Sequence, residues 1–327
     1  MRIIHLTDPH LSSLADVQLS RLRGKRLLGY QSWYRNRRHH YQRHALDRVV
    51  TAIHADAADV IMVTGDLVHI GLATEFAQAR DWLQTLGPTN QVRLVPGNHD
   101  CYHAESWALA KSAYGGYLAW APPETHSEPG EFPGVEHYGE LTLIAASSAH
   151  PAPWWAATGT LGTDQRHKIA RALAAATGAF RVLALHHPPL PDSCSRRKCL
   201  TDAQPLQAVL HQGRPQLTLH GHIHRNSAIQ TAMGYPQQQH RSYSYQIPAA
   251  HGRNTCLRKG ILGMASMTLA QSAMVAAPSI KRAKPLPSRA LAVRIIIDTP
   301  NSGLAIKTAL KILSIRTRPG DIGGGTE

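Results

Sequence analysis

Short apolar runs and amphipathic stretches alternate through the first 224 residues of the chain. Between the apolar runs, apolar side chains recur every three or four residues over 44–56, 74–86 and 164–176, which predicts helices. Thr201 and Asp202 mark the start of a further predicted helix over 202–212. The runs themselves are rich in Val, Ile and Leu, as buried strands are, and cover 2–7, 59–64, 91–95, 141–147, 181–186 and 215–219.

Alternating strands and helices predict an α/β fold with helices outside the sheet. The stretch 121–134, rich in proline, glycine and glutamate, is predicted to be a surface loop. We therefore assign residues 1–230 to one domain, with a basic and aromatic insertion at 21–48.

The pattern changes after about residue 230, and we expect 231–327 to be a divergent, poorly defined and partly disordered basic tail. Within it, 293–297 fits a strand and 304–313 a basic helix. Residues 260–278 lack charge, but polar residues interrupt them too often for a membrane-spanning helix. The scarcity of acidic residues fits either a divergent appendage or an out-of-frame terminus.

The motif-bearing part and the tail also differ in net charge. The chain carries a net charge of +14, of which residues 1–224 contribute +3 and the remainder +11. A nucleic-acid partner, which a basic chain suggests, is therefore expected only of the tail or of one local cluster. No charged and apolar leader precedes the first run, so we expect a cytoplasmic protein with reduced thiols. Whether Cys194 and Cys199, which flank three basic residues, bind a metal is left open.

Polar motifs stand directly behind most of the apolar runs. Side chains at the carboxyl ends of neighbouring strands converge on one crevice, so we expect these motifs to form one site. Carboxylate and amide oxygens mixed with imidazoles suit Mn²⁺, Fe or Zn²⁺ and argue against a thiolate zinc site. The motifs are Asp8-Pro9-His10, Gly65-Asp66, Gly97-Asn98-His99-Asp100, His186-His187-Pro188 and Gly221-His222-Ile223-His224.

The spacing within the motifs suggests individual roles. On an extended segment, Asp8 and His10 would point the same way and could bind one ion. Asp66 has two carboxylate oxygens and is our choice for a ligand shared by two ions, with Gly65 leaving room for close approach. Each motif alone also has a simpler interpretation: residues 97–100, for example, could be a turn capped by an aspartate.

Taken together, the motifs resemble those of the calcineurin-like metallophosphoesterase superfamily over roughly residues 1–226. The resemblance implies a four-layer α/β/β/α sandwich with two divalent metal ions at the strand ends. It implies that His99 protonates the leaving oxygen or contacts the phosphate, and that Asp100 orients His99. By the same resemblance the first metal is bound by Asp8, His10, Asp66 and His224, and the second by Asp66, Asn98, His186 and His222.

Of the two adjacent histidines, His186 is the expected ligand because it stands two residues before Pro188, as the family's ligand does. His187 is then expected behind the ligands or at the surface. Two ions about 3.5–4 Å apart can bridge a water, lower its pKa and present hydroxide to phosphorus. The implied activity is hydrolysis of a phosphodiester or pyrophosphate bond by a metal-bridging hydroxide.

One difference from a motif of this superfamily narrows the class of substrate. Protein phosphatases of this superfamily extend Gly-Asp into Gly-Asp-x-x-Asp-Arg-Gly, and residues 65–71 lack that Asp and Arg. The motifs are more similar to the bacterial branch of cyclic-nucleotide phosphodiesterases and UDP-2,3-diacylglucosamine pyrophosphatases. They do not separate these substrates, because they describe the metals and not the pocket.

The basic clusters leave the substrate open. Residues 21–48 hold nine Lys or Arg against one acid, with aromatic residues between them. This insertion could be a solvated helix, a patch for an anionic membrane or a lipid-linked diphosphate, or a nucleic-acid surface. Arg196 and Arg197 follow His186, and we expect them to bind substrate together with Asn98 and His99.

Three functional hypotheses follow. The preferred one is a phosphodiesterase or pyrophosphatase acting on a small, nucleotide-type phosphoester. A lipid-linked nucleotide as the substrate, and peripheral contact with the inner face of the membrane, stay open alternatives. A nuclease, and hence a nucleic-acid partner, is less favoured. A non-catalytic scaffold is disfavoured because all seven expected ligands are present.

Overall fold

The computed structural model describes residues 1–11, 13–38, 43–121, 131–176 and 180–224, and four strands beyond them. The strands of these residues form two sheets, with the orders β11-β10-β1-β2-β3 and β4-β5-β6-β7-β9-β8. They are β1 (Arg2–Leu6), β2 (Val60–Val63), β3 (Val92–Leu94), β4 (Gly134–Tyr138), β5 (Leu141–Ala145), β6 (Phe180–Ala184), β7 (Leu217–Leu219), β8 (Ser227–Ala232), β9 (Arg241–Gln246), β10 (Ala290–Ile296) and β11 (Lys311–Ser314).

Helices cover the outer faces of both sheets. A π-helical segment, Trp33–Arg37, continues the first helix. No helix in the described part of the chain combines the length and the apolar character that crossing a bilayer requires. The helices are α1 (Lys25–Ser32), α2 (Arg43–Ala55), α3 (Ala73–Leu86), α4 (Ser106–Tyr114), α5 (Gly162–Ala175) and α6 (Ala203–Gly213).

The buried strands explain the layers. Successive side chains of a strand point to opposite faces of its sheet. In β1, Ile3 belongs to the cluster between the two sheets, which includes Leu143, whereas Ile4 lies in the cluster beneath α2, α3 and α4, with Phe76. In the second sheet, Leu183 lies in the cluster beneath α5 and α6. The fold is therefore an α/β/β/α sandwich, which confirms the predicted class.

The six predicted strands and four predicted helices are all present, with ends that differ by one or two residues. The pattern missed α4 and also β4, which begins at Gly134 in the predicted loop and pairs antiparallel with β5. Antiparallel β4 lies at the edge of its sheet, half-buried, so it has no continuous apolar run.

The region after residue 226 contributes strands to both sheets. Strand β10 pairs antiparallel with β1, and β9 pairs parallel with β7. The expected strand at 293–297 is therefore present as β10. The expected helix at 304–313 is wrong at its end, where β11 pairs with β10 over 311–314. Residues 260–278 lie outside the described residues, and the boundary at residue 230 stays a prediction.

Candidate metal centre

The predicted motifs meet at one edge of the sandwich. Asp8, Asp66 and Asn98 follow β1, β2 and β3 of the first sheet, while His186 and His222 follow β6 and β7 of the second. These strands are parallel within each sheet. Because the carboxyl ends of parallel strands share an edge, the polar residues converge as expected.

Several candidate ligands have a left-handed backbone conformation, which directs their side chains into the site. Positive φ is uncommon outside glycine and costs about 1–3 kcal/mol per residue, so it is concentrated at functional sites. Asp8 and His10 therefore converge through a turn, and the predicted extended geometry is wrong. The candidate ligands with positive φ are Asp8 (53°), His10 (43°), Asp66 (59°), His222 (78°) and His224 (50°); the other described non-glycine residues with positive φ are Ala57, Asp192 and Arg214.

Glycines of the motifs allow the loops to touch. A Cβ atom on Gly65 would lie 2.2 Å from the amide nitrogen of Gly97. One on Gly97 would lie 2.2 Å from Asp66 Oδ1, and one on Gly221 would lie 1.9 Å from the Thr7 hydroxyl oxygen. The close approach expected at Gly65 is thus present, and it recurs in two other motifs.

One cluster contains Asp8, His10, Asp66 and His224, whose candidate ligand atoms all lie within 4.8 Å of one another. His224 Nε2 is 3.3 Å from Asp8 Oδ1 and 3.4 Å from His10 Nε2. His10 Nε2 is in turn 3.8 Å from Asp66 Oδ2. This is the set that the family resemblance implies for the first metal.

The second cluster lies on the other side of Asp66. His186 Nε2 is 3.4 Å from Asp66 Oδ2 and 3.1 Å from Asn98 Oδ1. Candidate ligand atoms of His186, His187 and His222 lie within 4.8 Å of one another, and His222 Nε2 is buried with no hydrogen-bond partner among the described residues. Burying such an atom unpaired costs about 1–3 kcal/mol, which a bound cation would offset. The donor set therefore fits a second metal ion.

Hydrogen bonds from the far side of each ring fix two of the imidazoles. His10 Nδ1 lies 2.9 Å from the carbonyl oxygen of Val68, and His186 Nδ1 lies 2.7 Å from that of Thr64. A carbonyl can only accept, so in each ring Nδ1 carries the hydrogen. The Nε2 lone pairs are then directed into the clusters, as in metal-binding histidines.

His187 is buried, which agrees with the first of its two expected positions, behind the candidate ligands, and not with the surface. Its Nε2 lies 3.3 Å from the carbonyl oxygen of Ala157 and must donate there, while its Nδ1 lies 2.8 Å from the Ser148 hydroxyl. Both ring nitrogens are thereby engaged. The ring lies 4.4 Å from that of His222, which favours a supporting position behind the ligands.

His99 lies beside the first cluster, with its ring edge-on to His10 at 4.8 Å. Its Nδ1 donates to the carbonyl oxygen of His69 at 2.5 Å, and its ring stacks on Tyr102. These contacts hold the ring of His99 beside the centre.

Asp100 joins two loops of the centre, and its expected role in orienting His99 stays a prediction. Its buried carboxylate accepts hydrogen bonds from the amides of Asp66, Leu67 and Gly97 and from the hydroxyl of Tyr114. It thereby joins the Asp66 loop to the 97–100 turn. The simpler interpretation, a turn capped by an aspartate, describes Asp100 correctly.

Charge at the centre is set by the competition between burial and neighbouring groups. Burial alone would raise the pKa of Asp66, but the imidazoles of His186 and His99 hold it well below its usual range. Burial lowers the pKa of His186, yet the carboxylate of Asp66 outweighs it and raises that pKa to about 9. Burial and the repulsion of His186 lower the pKa of His222 to about 3. Without a metal the centre thus combines ionised carboxylates with a protonated His186 and a neutral His222, and a bound cation would take the place of the His186 proton.

The basic insertion 21–48 is partly structural. Lys25 donates to the carbonyl oxygens of Tyr102 and Ala152, at 3.0 and 2.9 Å. Arg26 donates to the carbonyl oxygen of Gly71 and pairs with Glu105. These two cations tie α1 to loops beside the centre.

A pair of tryptophans at the rim escaped the sequence analysis. Trp154 and Trp155 are 65% and 55% exposed and lie in the loop that also supplies Ala152. The same loop pairs with the predicted substrate-binding loop, because the Ala157 amide donates to the carbonyl oxygen of Arg197 at 2.7 Å. Arg196 and Arg197 are exposed, and their expected contact with the substrate stays a prediction. The sequence did contain a signal for the tryptophan pair, because two adjacent tryptophans stand in a segment that has neither a strand nor a helix pattern.

Comparisons with known proteins point to one family of enzymes. Residues 1–226 match the family model of the calcineurin-like phosphoesterases. A probable cyclic nucleotide phosphodiesterase of Synechococcus sp. (strain WH7803) is 27% identical over 235 residues, covering 69% of this chain and 75% of the relative. A probable cyclic nucleotide phosphodiesterase of Vesicomyosocius okutanii subsp. Calyptogena okutanii (strain HA) is 24% identical over 185 residues, covering 55% of this chain and 68% of that protein.

A solved structure resembles the fold. The purple acid phosphatase PPD1 from yellow lupin (Lupinus luteus) seeds superposes with a TM-score of 0.50 at 13% identity, covering 78% of this chain. The chain spans only 46% of the length of that phosphatase, and at this identity the likeness concerns the fold alone.

Proposed function

The chain belongs to the calcineurin-like phosphoesterase family and is a metal-dependent phosphoric ester hydrolase, and we propose that it cleaves a phosphodiester bond of a nucleotide-type substrate with two divalent cations. The observation that carries the two-cation proposal is the position of Asp66. Its Oδ2 atom lies within 4 Å of His10 Nε2 in one cluster and of His186 Nε2 in the other. One carboxylate therefore borders both cation positions.

The first proposed ligand set is one of the two clusters, and the second differs from its cluster by adding Asp66 and Asn98 and omitting His187, whose ring nitrogens are both engaged. Asp8, His10, Asp66 and His224 would bind the first cation. Asp66, Asn98, His186 and His222 bind the second, and this set is supported by the 3.1 Å contact between His186 and Asn98. Mixed nitrogen and oxygen donors suit Mn²⁺ or Fe, with Zn²⁺ as an alternative. When bound, two such cations supply a water nucleophile of lowered pKa and neutralise charge on the phosphoryl oxygens.

The protein's own groups position and protonate the substrate. Asn98 offers its amide to the phosphate beside the second cluster. In its protonated form His99 donates from Nε2 to the leaving oxygen, since the carbonyl of His69 already accepts from Nδ1. General-acid help of this kind contributes about 10²–10⁴-fold to the rate. Arg196 and Arg197 attract further negative charge of the substrate.

A nucleotide-type substrate is supported by two observations. The curated relatives are named probable cyclic nucleotide phosphodiesterases. Residues 65–71 lack the Asp and Arg that extend this motif in protein phosphatases of the superfamily, which disfavours a phosphoprotein substrate.

A substrate panel tests the proposal. The full chain, loaded with Mn²⁺, is assayed against bis(p-nitrophenyl) phosphate, 3′,5′-cyclic AMP, UDP-2,3-diacylglucosamine and single-stranded DNA. We expect hydrolysis of the first two, and loss of it in Asp66→Asn treated in the same way. If the metal-loaded protein hydrolyses none of the four, the proposal is wrong and a scaffold function is favoured.

A second candidate is a lipid-nucleotide pyrophosphatase of the UDP-2,3-diacylglucosamine type that works at a membrane surface. Exposed apolar side chains near the basic groups favour it: Leu28 is 46% exposed on α1, Tyr34 is 49% exposed, and Trp154 and Trp155 are more exposed still. Aromatic and basic groups together suit the interface of an anionic bilayer. Hydrolysis of the lipid-linked substrate alone in the panel, faster with anionic vesicles present, would favour this candidate.

A further inference from the structure

Glu75 is a buried carboxylate that the metal clusters do not include. It lies in the first turn of α3 and is 1% exposed. Its oxygens accept hydrogen bonds from the amides of His69, Ile70 and Leu72, at 2.7, 3.1 and 2.9 Å. The bond from Leu72 is an ordinary helix cap. The bonds from His69 and Ile70 reach further back, into the loop beside the centre.

Two consecutive peptide groups connect Glu75 to the site. In the first, the His69 amide donates to Glu75 while the Val68 carbonyl accepts from His10 Nδ1 at 2.9 Å. In the second, the Ile70 amide donates to Glu75 while the His69 carbonyl accepts from His99 Nδ1. Each peptide group therefore lies between the same carboxylate and an imidazole.

Hydrogen bonds in such a chain strengthen one another. A carboxylate that accepts from a peptide N–H polarises that peptide and makes its carbonyl oxygen a better acceptor. A better acceptor at Nδ1 keeps the hydrogen on that nitrogen and fixes the ring orientation, so that Nε2 can serve as a metal ligand in His10 and as the proton-donating atom in His99. One buried charge thus acts on both a candidate ligand and the candidate acid.

We propose that Glu75 is a positioning residue that orients His10 for metal binding and His99 for proton donation through the peptide groups 68–69 and 69–70. The part that concerns His99 rests on the proposed function. The part that concerns His10 rests only on metal binding.

The test compares Glu75→Gln with Asp202→Asn. Asp202 is a matched control, because it is also buried and caps a helix, accepting from the amides of Leu161 and Gly162 at the start of α5. It lies outside both clusters. If Glu75 acts only as a cap, both variants lose stability and nothing else changes.

Three readouts separate positioning from capping. We expect the ring-nitrogen NMR signals of His10 and His99, assigned by substitution, to move in Glu75→Gln and to stay in place in Asp202→Asn. We expect Mn²⁺ binding, measured by calorimetry, to weaken about 10–100-fold only in Glu75→Gln. Hydrolysis of cyclic AMP, whose leaving group is an alkoxide, should fall more than that of bis(p-nitrophenyl) phosphate, whose leaving group needs no proton.

Unchanged ring signals and Mn²⁺ affinity in a folded Glu75→Gln protein would overturn the inference. If that variant does not fold, the unaltered protein still tests the inference. Nδ1 of both His10 and His99 must then give the NMR signal of a protonated nitrogen, and a signal of an unprotonated Nδ1 in either ring would overturn it. If no substrate is hydrolysed, the proposed function fails, while ring signals and Mn²⁺ binding still test the role of Glu75.

Discussion

The backbone amide of His222 lies 3.2 and 2.9 Å from the two carboxylate oxygens of Asp8, although the two residues follow strands of different sheets. The Thr7 hydroxyl donates to the same carboxylate at 2.7 Å. The centre therefore forms only when the two sheets have packed together. Folding and metal binding should then be coupled.

Removal of metal should lower the stability of the protein. The carboxylates of Asp8 and Asp66 face each other across the first cluster, and a cation would relieve their repulsion. Mn²⁺ at a hundred times its dissociation constant adds about 2.7 kcal/mol per site to the free energy of unfolding. Thermal unfolding with a chelator and over a Mn²⁺ titration measures this effect. A melting temperature that does not respond to Mn²⁺ would contradict the candidate site.

Asn98→Ala and His99→Ala should separate metal binding from proton donation. Asn98 Oδ1 contacts His186, whereas the ring of His99 contacts the carbonyl of His69, the ring of Tyr102 and the ring of His10. We expect both variants to lower kcat, His99→Ala by about 10²–10⁴-fold. Only Asn98→Ala should also reduce the bound metal, measured by elemental analysis. Equal metal loss in both variants would argue against these roles.

Asp100→Asn should destabilise the protein more than Tyr114→Phe. The Asp100 carboxylate accepts from three amides and one hydroxyl, and an amide side chain would direct N–H groups at some of these donors. Loss of such bonds to a charged acceptor costs about 1.5–3 kcal/mol each, while Tyr114→Phe removes one bond to it. Urea unfolding of both variants gives the comparison. An equally small loss in both would show that the carboxylate is not needed.

The strands and the motif residues of the candidate site were predictable, because each depends on a few neighbouring positions. An apolar run identifies β2, and the Gly65-Asp66 pair behind it identifies a candidate ligand. The turn at Asp8 and His10 was not predictable in the same way. Its positive φ angles are favoured only by contacts with distant loops, such as the bond from the His10 amide to the Asp66 carbonyl.

The supporting residues were missed for a related reason. Glu75 reads as one more charge in a helical pattern, and Asp100 reads as the partner of its neighbour in sequence. Their roles depend on amides that the fold brings to them, at 33–34 residues' separation for Asp100. Such contacts leave no periodic signal. The edge strand β4 was missed because it is only half-buried, so its sequence has no continuous apolar run.

His5 should make the stability of the metal-free protein depend on pH. It is fully buried beneath the centre, with Nε2 2.8 Å from the Thr64 hydroxyl, and burial together with the nearby His220 lowers its pKa to about 3. The unfolded chain binds a proton at this histidine below pH 6.5, whereas the folded chain does not until about pH 3. The stabilising contribution is therefore present above pH 6.5 and is lost as the pH falls.

Between pH 6 and pH 4, one such histidine changes the free energy of unfolding by about 1.4 kcal/mol per pH unit. His5→Gln should lower the slope of the unfolding free energy against pH by that amount, because glutamine keeps a polar group near Thr64 and does not titrate. His167→Gln, at an exposed position of α5, is the matched control and should leave the slope as it is. Urea unfolding in the presence of a chelator, repeated at several pH values, measures all three proteins. Identical slopes for His5→Gln and the unaltered chain would mean that His5 is accessible to protons in the folded state.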